Sequence, residues 1–387
     1  MSKASKPNTA KHFATMAIQS TEPKGDETGS VANSIYPTTT FKRELDGSYN
    51  SGYIYTRHDN PNRQLLEEAL ATLEGGETAF AFASGMAAIS TMFQALKAGD
   101  HVILPDDAYY SVQAVAKDVF KRWELSHSIV DMTDYEAVQA AIRPETAMLW
   151  LESPSNPQLK ISDITALSKL AKANGAITVV DNTWCTPVLQ KPLNLGADVV
   201  MYSTTKYFGG HSDCLGGALV LGEPVSEELA PVLKNIQSLG GAVPAPFDCW
   251  LMTRGIKTLY LRLKQQSENA TKLAKHLSTH EKVAMVHFPG LPTHPQYDLS
   301  MKQMPEGSGA MLSVQLGKSQ AETMALIGKL NLFTAATSLG GVESLIEHRK
   351  SVEGDDSLTP DDLLRISVGI EHIDDLTADW DQALDKL

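Results

Sequence analysis

The chain has 387 residues, enough for two modest hydrophobic cores, and its 42% apolar and 20% charged composition is that of a folded globular protein. Its formal net charge of −13, from 46 acidic against 33 basic residues, argues against a nucleic-acid partner; any bound phosphate must be held by local donors against the overall field. The three cysteines, Cys185, Cys214 and Cys249, form no C-x-x-C pair, which argues against a metal site, and an odd number fits a reducing, cytoplasmic setting.

Residues 1 to about 30 read as a polar arm, without the apolar core of a signal peptide, and Gly25 and Gly29 among charges predict a mobile tail. Residues 34–62, rich in Tyr, Thr, Pro and Gly, predict an extended segment. Helical spacing begins at Gln64 and runs to Leu73. Short apolar runs then recur at 78–82, 101–104, 125–130, 147–151, 177–180, 199–202 and 218–221, each closed by a turn residue. Helical stretches at 86–97, 111–121 and 164–174 lie between them. This alternation predicts an α/β fold: a mostly parallel seven-stranded sheet with helices on both faces. The last two runs are joined by a loop with no helix, so one edge strand is expected to be antiparallel. Beyond about 250 a long helical stretch, 251–278, precedes strands at 283–288 and 310–316. The expected division is an arm over 1–62, an α/β domain over 63–250 and a smaller α+β domain over 251–387. No run of about twenty apolar residues occurs, so no membrane span is expected.

Ligands of open parallel sheets sit at the carboxyl ends of the strands, and three predicted strand ends carry unusual chemistry. The run 177–180 ends on Asp181. The run 199–202 is followed by Ser203-Thr-Thr205-Lys206 and then by glycines. In isolation the Asp reads as readily as a helix cap and the Lys as a solvated surface charge. Together they match what pyridoxal phosphate (PLP) requires: an amine for the aldehyde, a carboxylate for the ring nitrogen and hydroxyls for the phosphate. The third end, Ser84-Gly85-Met86 at a strand-to-helix junction, offers free N–H groups and a partial positive charge to an anion, although a plain tight turn has the same sequence. Nucleotide motifs are missing: there is no G-x-G-x-x-G, and Gly317-Lys318-Ser319 lacks the upstream Gly of a P-loop. In the run 363–368 the residues alternate like a strand and hold Arg365, which reads as a carboxylate clamp or as a surface arginine.

Across most of the chain the sequence resembles the Cys/Met-metabolism PLP enzymes, a fold-type I family that includes cystathionine γ-synthase, γ-lyase and β-lyase and methionine γ-lyase. The resemblance rests on Tyr55-Thr-Arg57-His-Asp-Asn60-Pro61, Ser84-Gly85-Met86, Glu152-Ser-Pro-Ser-Asn156-Pro157, Asp181-Asn-Thr, Ser203-Thr-Thr205-Lys206, Ser338-Leu-Gly-Gly and Leu364-Arg365. It implies catalytic roles for Lys206, Tyr109 and Tyr55, with Lys206 carrying the cofactor and shuttling protons. Asp181 is then the partner of the ring nitrogen, Tyr109 the ring stacked on the cofactor (Tyr110 is a rival), and Asn156 the partner of the ring hydroxyl. Gly85, Met86, Ser203 and Thr205 form the phosphate cradle. Tyr55 and Arg57 reach the phosphate of a neighbouring subunit, which makes the homodimer the smallest active unit and a homotetramer the usual assembly. Arg365, Ser338, Asn156 and Thr337 contact the amino-acid substrate. Leu339, where β-lyases carry Trp, points to γ-synthase or γ-lyase chemistry, with β-lyase and methionine γ-lyase behind. Three departures are visible: Thr337 replaces Glu, Ile346-Glu347-His348-Arg349-Lys350-Ser351 falls where the family has a Thr-His-Ala run, and, more mildly, Trp184 stands where Phe is common. A non-catalytic PLP-binding scaffold is the alternative from another class.

Overall fold

The computed structural model describes residues 11–23, 29–354 and 357–387. The tail expected around Gly25 lies outside them. Within the arm, Phe13–Gln19 forms a helix (α1), with Ala17 buried and Phe13 and Met16 packed against the core. That i, i+3, i+4 apolar stripe is too short to stand out among polar neighbours.

Seven strands form the large sheet: β1 (Thr78–Phe82), β2 (His101–Pro105), β3 (Ser126–Val130), β4 (Thr146–Glu152), β5 (Ile177–Asp181), β6 (Val199–Tyr202) and β7 (Gly217–Leu221). Their order is β1-β7-β6-β5-β4-β2-β3. β7 is antiparallel, as its helix-free connection requires, but it is not at the edge: it pairs with both β1 and β6. All five of its residues are buried, so both sides of its backbone need partners, and β1 takes the edge instead.

Alternation along β1 explains the layers. Phe80 and Phe82 pack with Ile89 and Met92 of helix α3 (Gly85–Gln94) on one face. Ala79 and Ala81 pack with Leu66, Leu70 and Leu73 of helix α2 (Pro61–Glu74) on the other. Sequence fixes the start of α2: Asn60 caps it by accepting from Asn62 N–H, and Pro61 occupies the first turn.

A second sheet follows, with β8 (Met285–His287), β9 (Met311–Gln315), β10 (Thr334–Ala335), β11 (Leu345–His348) and β12 (Leu363–Ser367) in the order β10-β11-β12-β9-β8. The helical stretch expected over 251–278 is two helices, Pro246–Ile256 and Leu259–Ser278. Arg262 holds the break, donating to Gly255 O at 2.9 Å and to Tyr207 O at 2.8 Å. Ser319, the false P-loop end, is the N-cap of a capping box with Glu322. Among the described residues no helix is long and apolar enough to cross a membrane.

Candidate active site

Neighbouring strand ends bring two acids together. Glu152 and Asp181 are register partners on β4 and β5, and both are buried. Asp181 Oδ1 accepts Thr183 N–H at 3.0 Å, and Glu152 Oε2 accepts Tyr109 N–H at 2.7 Å. Burial pushes both acids up, Asp181 to about 6 and Glu152 well above the carboxylate range, the latter also because Asp181 stands beside it. Glu152 is pushed up further than Asp181, whose carboxylate is steadied by the Thr183 N–H it accepts and by the nearby Lys206 amine.

The anion cradle is built by helix α3 and the segment after β6. Ser84 caps α3 by accepting Ala87 N–H at 3.0 Å, which aims the first-turn N–H groups of Gly85 and Met86 outward without helical partners. A Cβ on Gly85 would meet Ser203 Cβ and Oγ at 3.1 Å, so glycine lets the helix end and this hydroxyl converge without a shift of either. Thr205 lies beside them, but its hydroxyl donates to Gly216 O at 3.1 Å and accepts Gly216 N–H at 3.0 Å. To donate to a phosphate it must turn from that carbonyl. Phosphate donors, an acid for a ring nitrogen and a lysine amine in one cavity fit PLP.

Lys206 lies where the second sheet meets the first. Its Nζ donates to Ser338 Oγ at 2.8 Å. Burial, then the nearby Arg365, pulls the amine down to about 8, which brings its free-base form within reach of neutral pH. Ser338 has φ 89°, a conformation that disfavours side chains, two residues before Gly340 at φ 79°. A Cβ on Gly340 would meet Tyr207 N at 2.8 Å and Lys206 C at 3.1 Å. Gly340 thus allows the Ser338 loop to close on the lysine.

Arg365, on the central strand β12, is 4% exposed, which removes the surface-arginine reading. It donates to Asn156 Oδ1 at 3.1 Å, Ser338 O at 3.2 Å and Glu347 Oε2 at 2.7 Å. One cavity is lined by Gly85, Met86, Tyr109, Asn156, Asp181, Ser203, Thr205, Lys206, Thr337, Ser338 and Arg365. Tyr109 faces it, whereas Tyr110 faces a different one. Tyr55 and Arg57 lie apart: Arg57 donates to Ser238 O at 2.6 Å and sits 5.9 Å from the ring centre of the half-exposed Tyr55. The same cavity also takes Glu152, Thr183, Trp184, Met201 and Arg349, to which sequence reasoning gave no role. An acid closing the run 147–151 is a signal for Glu152. For Arg349 there is none: its acid partners, Glu347 and Glu353, are close in sequence, and only the pairing of β11 with β12 places this run against the cavity.

Fold and cavity together define a class, the PLP-dependent enzymes of an open α/β sheet. Residues 14–385 match the model of the family described as Cys/Met metabolism PLP-dependent enzyme, and the chain belongs to that family. It is 46% identical over 377 residues to a cystathionine gamma-synthase of Mycobacterium bovis, covering 96% of each chain. It is 44% identical over 386 residues to a cystathionine beta-lyase of Coxiella burnetii, covering 97% of this chain and 99% of the relative. The crystal structure of a cystathionine gamma-lyase from Lactobacillus plantarum, complexed with L-serine, superposes with a TM-score of 0.91 at 38% identity, over 97% of this chain and 99% of that one.

Proposed function

We propose that the chain carries out γ-replacement or γ-elimination on a homoserine ester or cystathionine, as a cystathionine γ-synthase or γ-lyase. The observation that carries this reading is the Lys206 amine, buried and hydrogen-bonded to Ser338 in the cavity that also holds Asp181 and Arg365. Bound PLP supplies an electron sink that stabilises negative charge on the carbon beside the substrate amine. Arg365 takes the substrate α-carboxylate, and Asn156 and Ser338 hold that guanidinium in place. Lys206, once displaced from the cofactor, removes the proton from Cα; its four-carbon stem lets it also move a proton at Cβ, which loss of a γ-substituent requires. Tyr109 would stack on the cofactor ring, and Gly85, Met86, Ser203 and Thr205 would hold its phosphate. Leu339 lines the cavity and supports γ- over β-chemistry. In the same reading 63–250 is the cofactor domain and 251–387 the smaller domain. Tyr55 and Arg57 serve the cavity of a neighbouring copy, so the homodimer is the smallest active unit and a tetramer the expected assembly; their place outside their own chain's cavity supports this.

Product analysis of the holoenzyme separates the reactions. Cysteine plus 2-oxobutyrate from cystathionine is γ-elimination, and cystathionine from an acylated homoserine plus cysteine is γ-replacement. Homocysteine plus pyruvate from cystathionine would overturn the γ-reading in favour of β-elimination.

A further inference from the structure

The segment Glu347-His348-Arg349, which departs from the family resemblance, ends in the active-site cavity. Antiparallel pairing of β11 with β12 sets Glu347 opposite Arg365. A single oxygen of Glu347, Oε2, accepts from Arg365 Nη2 at 2.7 Å and from Arg349 Nη1 at 2.8 Å. The other side of Arg349 is gripped by Glu353, whose Oε1 accepts Nη2 at 2.6 Å and Nε at 3.0 Å. Glu353 Oε2 is held in turn by the hydroxyls of Ser357 and Thr359, each at 2.6 Å. The result is an alternating row, Arg365–Glu347–Arg349–Glu353, in which no side chain is more than 8% exposed.

Four buried charges that cancel are a poor way to gain stability. Each loses its hydration, and apolar side chains of similar volume generally stabilise as well or better. What the row supplies is direction: a carboxylate oxygen shared by two guanidinium groups cannot swing toward either, and Arg349 itself is fixed by a two-sided grip. Arg349 also lines the cavity, and its charge, after burial, is the largest influence pulling Arg365 down to about 10, so the two cations feel each other directly.

We propose that Arg349, acting through Glu347, is a positioning residue that orients the Arg365 guanidinium toward the α-carboxylate of the amino-acid substrate. The proposal rests on reading Arg365 as that clamp.

The test compares two ligands of the holoenzyme, followed by the change in cofactor absorbance. L-norvaline has the α-amine, the α-carboxylate and no leaving group; 1-aminobutane is the same molecule without the carboxylate. Arg349→Met is expected to weaken norvaline about tenfold and to leave 1-aminobutane within about twofold. Arg349→Lys keeps the charge but loses the two-sided grip, and falls between wild type and Arg349→Met for norvaline alone; it carries the test if the Met variant does not fold. Equal weakening of both ligands, or of neither, overturns the proposal and leaves the clamp standing. Wild-type enzyme that binds the two ligands equally well overturns the clamp reading and this proposal with it.

Discussion

The two halves of the cavity are built in different ways. The half proposed to hold the cofactor is made of strand ends in one sheet: Asp181 closes β5, Ser203 and Lys206 follow β6, and Gly85 opens the helix after β1. Each is placed by its own few neighbours in sequence. The half proposed to hold the substrate is made by register and by long-range pairs. Arg365 reaches Asn156, 209 residues away, and Lys206 reaches Ser338, 132 residues away. The difference teaches where such an enzyme is free to vary. In the proposed assignment the cofactor's contacts are set locally, whereas the grip on the substrate can be rewired at either end of β11, as Thr337 before it and Arg349 after it illustrate.

If that comparison holds, substitutions in the first half abolish chemistry and those in the second weaken substrate capture. The largest effect is expected for Lys206→Ala: turnover falls by about 10³-fold or more, and the absorbance of the lysine-bound cofactor near ~420 nm disappears. Asp181→Asn keeps the shape but removes the charge facing the ring nitrogen; kcat is expected to fall roughly 10²-fold with cofactor still bound, measured in steady state. Arg365→Leu acts on the other half. A loss of about 10²-fold in kcat/KM, carried mainly by KM, is expected, and a loss carried by kcat alone would break the comparison.

Two pH effects are smaller. With Lys206 pulled down to about 8, its base form is lost as pH falls, so the acid limb of kcat is expected near that value. Glu74 lies behind the sheet, fully buried against the Tyr202 hydroxyl, and burial pushes it up to about 8 from an ordinary 4.5. Between those values the folded chain keeps a proton that the unfolded chain releases, so stability falls as pH rises through the window. Thermal melts of Glu74→Gln between pH 5 and 8 are expected to be flatter than wild type by a few degrees.

Legibility in the sequence follows the same division. Short runs closed by turn residues predict all seven strands of the large sheet; the parallel interior strands β2, β4, β5 and β6 are legible because buried strands are near-continuous apolar segments, while β3, half exposed at the edge, is carried mainly by its spacing. Asp181 and Lys206 are readable only as a pair: either alone reads as a cap or a surface charge, but together, after two successive strand ends, they match the needs of one cofactor. The interior place of β7 is not readable, since a loop shows only that direction reverses and not which strand pairs on the far side. Nor is the break before Leu259, which a distant Arg262–Tyr207 bond defines. Tyr109 and Tyr110 are equivalent in sequence, and only the turn into the following helix sends one to each cavity. Arg365 in an alternating run reads from the residues alone as a surface arginine, and the register with Glu347 that makes it a held, buried cation is a property of two strands.

The central claim is that Lys206 bonds covalently to the cofactor. Borohydride reduction of the holoenzyme, followed by proteolysis and mass spectrometry, fixes that bond in place and locates it. The pyridoxyl adduct is expected on the peptide containing Lys206 and to vanish in Lys206→Ala; an adduct on another lysine, or none from a yellow, active preparation, would contradict the account.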